Sequence, residues 1–187
     1  APGKREPKSI LSDSLDGVDR TLLLAAVREI LKSEDGRIRR SIGDLYAKLA
    51  PNEIAVLLSD IVAAIQKPAP SGEMFAYDIR FAGLDLLARL RIREGMSMCV
   101  DIMNEFRWGR KLNRCVEPLS KYGGAARELV PRLKATRLAL VEKNKNWEKD
   151  EEQKKDVYSI DKLIEKIEAD KNPRPVRSIQ DFITNPK

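Results

Sequence analysis

One stretch of helical pattern occurs twice in this chain. The segment DGRIRRSIGDLYAKLAPNEIAVLLSDIV, Asp35 to Val62, is echoed 41 residues later by YDIRFAGLDLLARLRIREGMSMCVDIM, Tyr77 to Met103. Ile38 and Arg39 align with Ile79 and Arg80, Asp44 and Leu45 with Asp85 and Leu86, Leu49 with Leu90, Glu53 with Glu94 and Ile61 with Ile102. Two helices per period of about 40 residues mark stacked helix pairs, which bury their apolar faces against one another. The repeat therefore predicts an all-α chain, and no alternating strand pattern competes with it.

The periodicity fixes the expected elements. Residues 1–17 are polar, with Pro2, Pro7 and Gly17, and read as a flexible lead. Helices are expected over 18–33, 37–49, 51–66, 73–91, 93–107, 111–122, 125–143 and 151–169. In the second of these, Ile38, Ile42, Leu45 and Leu49 should share the inward face. Pro51 suits a first helical turn, and Lys67-Pro68-Ala69-Pro70-Ser71-Gly72 is a clear break. Gly83 inside a helix costs about 1 kcal/mol against Ala, so close helix packing should explain it. Pro118 predicts a kink, and Pro131 a kink or a late helix start. Residues 18–143 read as the repeat domain and 144–187 as a charged C-terminal helix and tail. In that last region Val157, Ile160, Ile164 and Ile167 form a narrow amphipathic stripe. Asn172-Pro173-Arg174-Pro175 is an extended linker, and Ile179, Phe182 and Ile183 a last apolar patch.

The helix pairs resemble HEAT or armadillo-type repeats over about residues 18–143. The matching residues are Ile38, Arg39, Asp44, Leu45 and Leu49, and Ile79, Arg80, Asp85, Leu86 and Leu90. The stretch PAPSGEMFAYDIRFAGLDLLARLRIREGM, with RWGRK and KYGGAARELVPRL after it, is also similar to helical regions of uncharacterised multidomain bacterial proteins. The resemblance implies a right-handed α-solenoid of about three helix pairs plus a C-terminal amphipathic helix. It implies a scaffold or interaction surface, with the groove of the second helices as its working face, and it brings no catalytic residues or cofactor.

Residue types narrow the chemistry further. The chain has no histidine, which removes Ser-His and Cys-His nucleophile systems and His-ligated zinc. Two cysteines, Cys99 and Cys115, are too few for a four-thiolate zinc site and are expected to be buried free thiols. No GxxxxGK[ST] or GxGxxG phosphate loop occurs. Asp101 and Glu105, four apart on one helix, read as a solvated face. No apolar run is long enough to span a membrane, and no signal peptide is visible. The chain begins at Ala1, which fits a fragment or a processed protein. The expected function is a non-catalytic interaction module with a protein partner, within a larger bacterial protein. An accessory domain of an enzyme whose catalytic part lies elsewhere is the further alternative.

The formal charge is +6, mildly basic. Its densest cluster is Arg107-Trp108-Gly109-Arg110-Lys111, with Arg114 one turn on. Four cations around one Trp suit a phosphate, an acidic peptide or a stacked base. Packing of the Trp over a helix junction competes with that reading. Met74, Phe75 and Tyr77 are a second candidate, as the lining of a partner groove. Arg37, Arg39 and Arg40, and Arg89, Arg91 and Arg93, are expected to pair with acids of neighbouring repeats, Asp44 and Asp85 foremost. Basic spots interrupted by acids disfavour nucleic acid as the partner.

Overall fold

The computed structural model of the chain describes residues 15, 17–72, 75–106, 109–143 and 145–187, and the side chain of Arg110 lies outside that description. The predicted flexible lead falls almost wholly outside the described residues. Among these the secondary structure is helical throughout, without a strand. The chain divides into two compact units, Ala1–Gly83 with Pro186–Lys187, and Leu84–Asn185.

The first unit contains α1 (Arg20–Lys32), α2 (Gly36–Arg40), α3 (Pro51–Gln66) and the first half of α4 (Asp78–Arg89). Asp19 caps α1 by accepting from the backbone N–H of Thr21 and Leu22, as short polar side chains at helix starts do. Val27 and Leu31 turn inward from α1, while α3 buries Ile54, Leu57, Leu58, Ile61 and Ile65. Two ion pairs lace these helices. Arg20 grips Glu53 with both arms, at 2.6 and 2.7 Å, and Arg28 reaches Asp60 at 2.9 Å. Glu53 also accepts from Ala50 N–H at 2.8 Å, closing the start of α3 where Pro51 opens it.

The helix expected over 37–49 is not continuous. It ends at Arg40, and a 3-10 turn, Gly43–Ala47, follows. Ser41 turns its hydroxyl back to Ile38 O at 2.7 Å, and Gly43 is a weak helix former. The break changes the inward face. Ile42, Leu45 and Leu49 are buried as spaced, but Ile38 is 48% exposed and Arg39 is 8% exposed in its place. The Arg39 guanidinium donates to Ser33 O and to Lys67 O. Its repeat counterpart, Arg80, is 1% exposed and donates to Ile65 O at 2.6 Å. Each arginine satisfies carbonyls left open where α1 or α3 ends.

The second unit holds the rest of α4, then α5 (Glu94–Glu105), α6 (Arg110–Ser120), α7 (Val130–Lys143), α8 (Glu151–Ala169) and α9 (Ile179–Thr184). Leu87, Cys99, Met103, Leu112, Cys115, Leu119, Leu133, Ile160 and Ile167 make its core. Both cysteines are buried and free. Pro118 sits in the last turn of α6. Pro131 marks a late start: a 3-10 segment, Gly123–Leu129, precedes α7, and the proline falls in the helix's first turn. The apolar stripe of α8 is buried as its spacing demands.

Beyond α8 the chain returns along residues 91–93. Arg177 N–H donates to Arg91 O at 3.0 Å, and Arg93 N–H to Arg177 O at 2.8 Å. Glu94 accepts from Ile179 N–H at the start of α9, where Ser178 and Asp181 also form a capping box. Phe182 is fully buried, with the Arg177 guanidinium 4.4 Å from its ring centre.

Candidate functional site

The returning tail forms one wall of a basic cleft in the second unit. Its volume is about 390 Å³, and its lining includes Arg91, Lys121, Lys166, Asp170, Asn172 and Arg174. Lys121 follows α6, Lys166 lies in the last turn of α8, and the others come from the turn after α4 and from the tail.

Arg91 is the keystone. Its φ of 55° places a non-glycine residue in the left-handed region, which surrounding bonds must hold. They are supplied by carbonyls from two segments. The guanidinium donates to Lys121 O at 3.0 Å, Tyr122 O at 3.4 Å, Arg174 O at 2.5 Å and Pro175 O at 3.0 Å. Burial, and after it the charge of Arg174, hold this guanidinium below the usual arginine range. Tyr122 is buried beside it and donates to Ile92 O at 2.8 Å.

Asp170 lines the same cleft. Its carboxylate accepts from Gly124 N–H at 2.7 Å, which is the main reason it titrates below the usual carboxylate range. Only glycine permits this approach. A Cβ on Gly123 would meet the carboxylate, a Cβ on Gly124 would meet Asp170 O, and Gly123 has φ 57°. Arg127 donates to the same Asp170 carbonyl at 2.6 Å. Lys121 is engaged by Asp85 at 3.0 Å. Lys166 and Arg174 remain as exposed cations whose side chains have no carboxylate partner among the described residues.

Of the residues marked in the sequence, Arg91 stands in this cleft, and the described members of the two predicted sites, Lys111, Arg114, Phe75 and Tyr77, are not among its lining. Arg107, Trp108 and Met74 fall outside the described residues, as does the Arg110 side chain. Lys111 holds its ammonium 5.6 Å from the centre of the Phe106 ring, and Arg114 lies 3.8 Å from Asp85. At the same turn, Gly109 N–H and the Asn113 amide donate to Asp156 at 2.5 and 2.9 Å. That carboxylate is 1% exposed, and burial raises its pKa. In the first unit Phe75 lies under Arg40, at 4.9 Å from the ring centre. Tyr77 stacks on Phe81 and lies under Arg80.

The expected arginine pairing is redistributed. Arg37 pairs with Asp35 and Arg40 with Asp78, while Asp85 takes Lys121 and Arg114. Asp101 is an exposed partner of Arg132. Lys121, Lys166 and Arg174 were not marked by sequence density, being far apart in the chain. The one local signal was the proline frame around Arg174. Among the described residues no helix is long and apolar enough to cross a membrane, and no group of three or more Cys, Asp or Glu could hold a metal ion. No family model, curated protein or solved structure matches the chain.

Proposed function

We propose that this chain is a non-catalytic helical interaction module that holds an acidic segment of a partner protein at the basic cleft of its second unit. The observation that carries this is the unbalanced pair Lys166 and Arg174. Arg20, Arg28, Arg40, Arg132 and Arg137 face carboxylates of their own chain, and among the cations that do not, Lys166 and Arg174 line one cleft together. Asp156, Asp170 and Glu53 are each held by structural hydrogen bonds. In this reading the repeats belong to a HEAT-like right-handed solenoid within a larger bacterial protein. Polyanion binding through the cluster Arg107, Trp108, Arg110, Lys111 and Arg114 is the weaker reading, because Asp156 accepts from Gly109 N–H and Asp85 lies 3.8 Å from Arg114.

The test is a titration with an unphosphorylated Glu- and Asp-rich peptide across a salt series. Binding that weakens with salt, and is lost in Lys166→Glu with Arg174→Glu, supports the reading. Equal binding by the double variant, or none at low salt, refutes it.

A further inference from the structure

We infer that the cleft is built for a phosphate monoester group, an inference that rests on the interaction reading and names the chemistry of its site. Three observations converge. The first is charge. Arg91, Lys121, Lys166 and Arg174 bring four positive charges to the cleft, against Asp170 on its lining and Asp85 at Lys121, which leaves an excess of two. Lys166 and Arg174 are the two lining cations with no carboxylate or carbonyl already bound among the described residues. A dianion neutralises both, whereas a single carboxylate leaves one. The second is donor type. A guanidinium offers a planar fork matched to phosphate oxygens, an ammonium adds a point charge, and Asn172 lines the same space.

The third is preorganisation. Arg174 stands between Pro173 and Pro175, whose rings restrict the backbone on both sides. Its carbonyl and the next one are gripped by Arg91, at 2.5 and 3.0 Å. An exposed arginine on so fixed a backbone loses only side-chain freedom when it binds. Arg91 itself, with its guanidinium bound to backbone carbonyls, positions Arg174 and is not counted as a ligand group. A phosphorylated side chain of a partner and a free phosphorylated small molecule share this chemistry.

The experiment is a nuclear magnetic resonance titration of the whole chain, following backbone amides of Gly123, Gly124, Lys166 and Asn172. The probes are inorganic phosphate, glycerol phosphate, a phosphoserine peptide and its glutamate counterpart, each against chloride of equal ionic strength. Saturable shifts confined to these amides are expected with phosphate. Lys166→Ala and Arg174→Ala should each weaken binding roughly tenfold, as expected for one charge-assisted hydrogen bond. Both residues are exposed, so these variants should keep the wild-type spectrum elsewhere. Shifts no larger than with chloride, or spread over all basic surfaces without saturation, overturn the inference. If the glutamate peptide binds as well as the phosphopeptide and phosphate does not compete, the inference falls while the interaction reading stands. If phosphate and glycerol phosphate bind and neither peptide gains over them, the inference stands and the protein-partner reading falls. A phosphopeptide stronger than all three supports the inference, and supports the acidic-segment reading with it where the glutamate peptide also binds.

Discussion

Asp156 carries the most exposed prediction at the level of single residues. It is buried and accepts from Gly109 N–H and the Asn113 amide in the bonds that tie the start of α6 to α8. Asp156→Ala should cost about 1–3 kcal/mol, because two donors lose their partner. Asp156→Asn keeps one acceptor and should cost less. Chemical denaturation measures both. Burial raises this carboxyl's pKa in the fold, so its contribution is largest below the usual carboxylate range and declines as pH rises through the raised value. The stability gap between wild type and Asp156→Asn should therefore narrow from acid to neutral pH. Glu53 has the opposite sign. Hydrogen bonding to Arg20 lowers its pKa, so that stabilisation is present above the usual carboxylate range and lost as pH falls. Arg80→Met should cost about 1.5–3 kcal/mol by leaving Ile65 O without its charged donor. The inward role of Arg39 and Arg80 was not legible in the sequence. An arginine on an amphipathic helix reads as solvated unless the carbonyls it meets are known, and those come from helix ends many residues away.

Helices and their ends were the legible part. Apolar spacing located α1, α3, α5 and α8, and Pro51, Pro131 and the 67–72 break marked boundaries through the missing N–H and fixed φ of proline. What spacing did not reveal was the stop after Arg40, where a serine hydroxyl and a glycine compete with the helix. Gly83 was readable as a close approach, and a Cβ there would collide with the Ile65 side chain. Gly83→Ala should therefore destabilise the chain. The gain of about 1 kcal/mol in helix propensity is outweighed by overpacking of about 1–3 kcal/mol. A higher thermal midpoint for the variant would contradict the packing argument. The tail was only half legible, since the apolar pattern 179–183 predicted docking but not where. Phe182→Ala should cost about 3–5 kcal/mol and speed hydrogen exchange at the Arg93 and Arg177 amides, which close the tail onto residues 91–93.

For the molecule as a whole, the division between units falls inside α4. Ile79 and Phe81 from that helix are buried in the first unit, and Leu84, Leu86 and Leu87 in the second. A helix propagates cooperatively, so neither half of α4 frays without weakening the ladder of the other. Unfolding followed by tryptophan fluorescence and by far-ultraviolet circular dichroism should then give coincident transitions. Both tryptophans lie beyond Gly83, so two separated transitions would report units that melt independently. The net charge of +6 foretold a basic surface but not a cleft lined by four of its cations. Lys121, Lys166 and Arg174 become neighbours only through tertiary packing, and no local pattern encodes that.

Arg91 waits for carbonyls 83 and 84 positions further along the chain. During synthesis at roughly 5–20 residues per second, it spends about 4–17 s without them. Helix pairs made of near neighbours have time to settle first, while this closure must overcome the entropy of a long loop. The cleft is thus a late feature of its unit to mature, completed just before the docking of α9. A nascent chain stopped short of Pro175 would carry helices without the closed cleft, so that the cleft's lining is completed as a single late event.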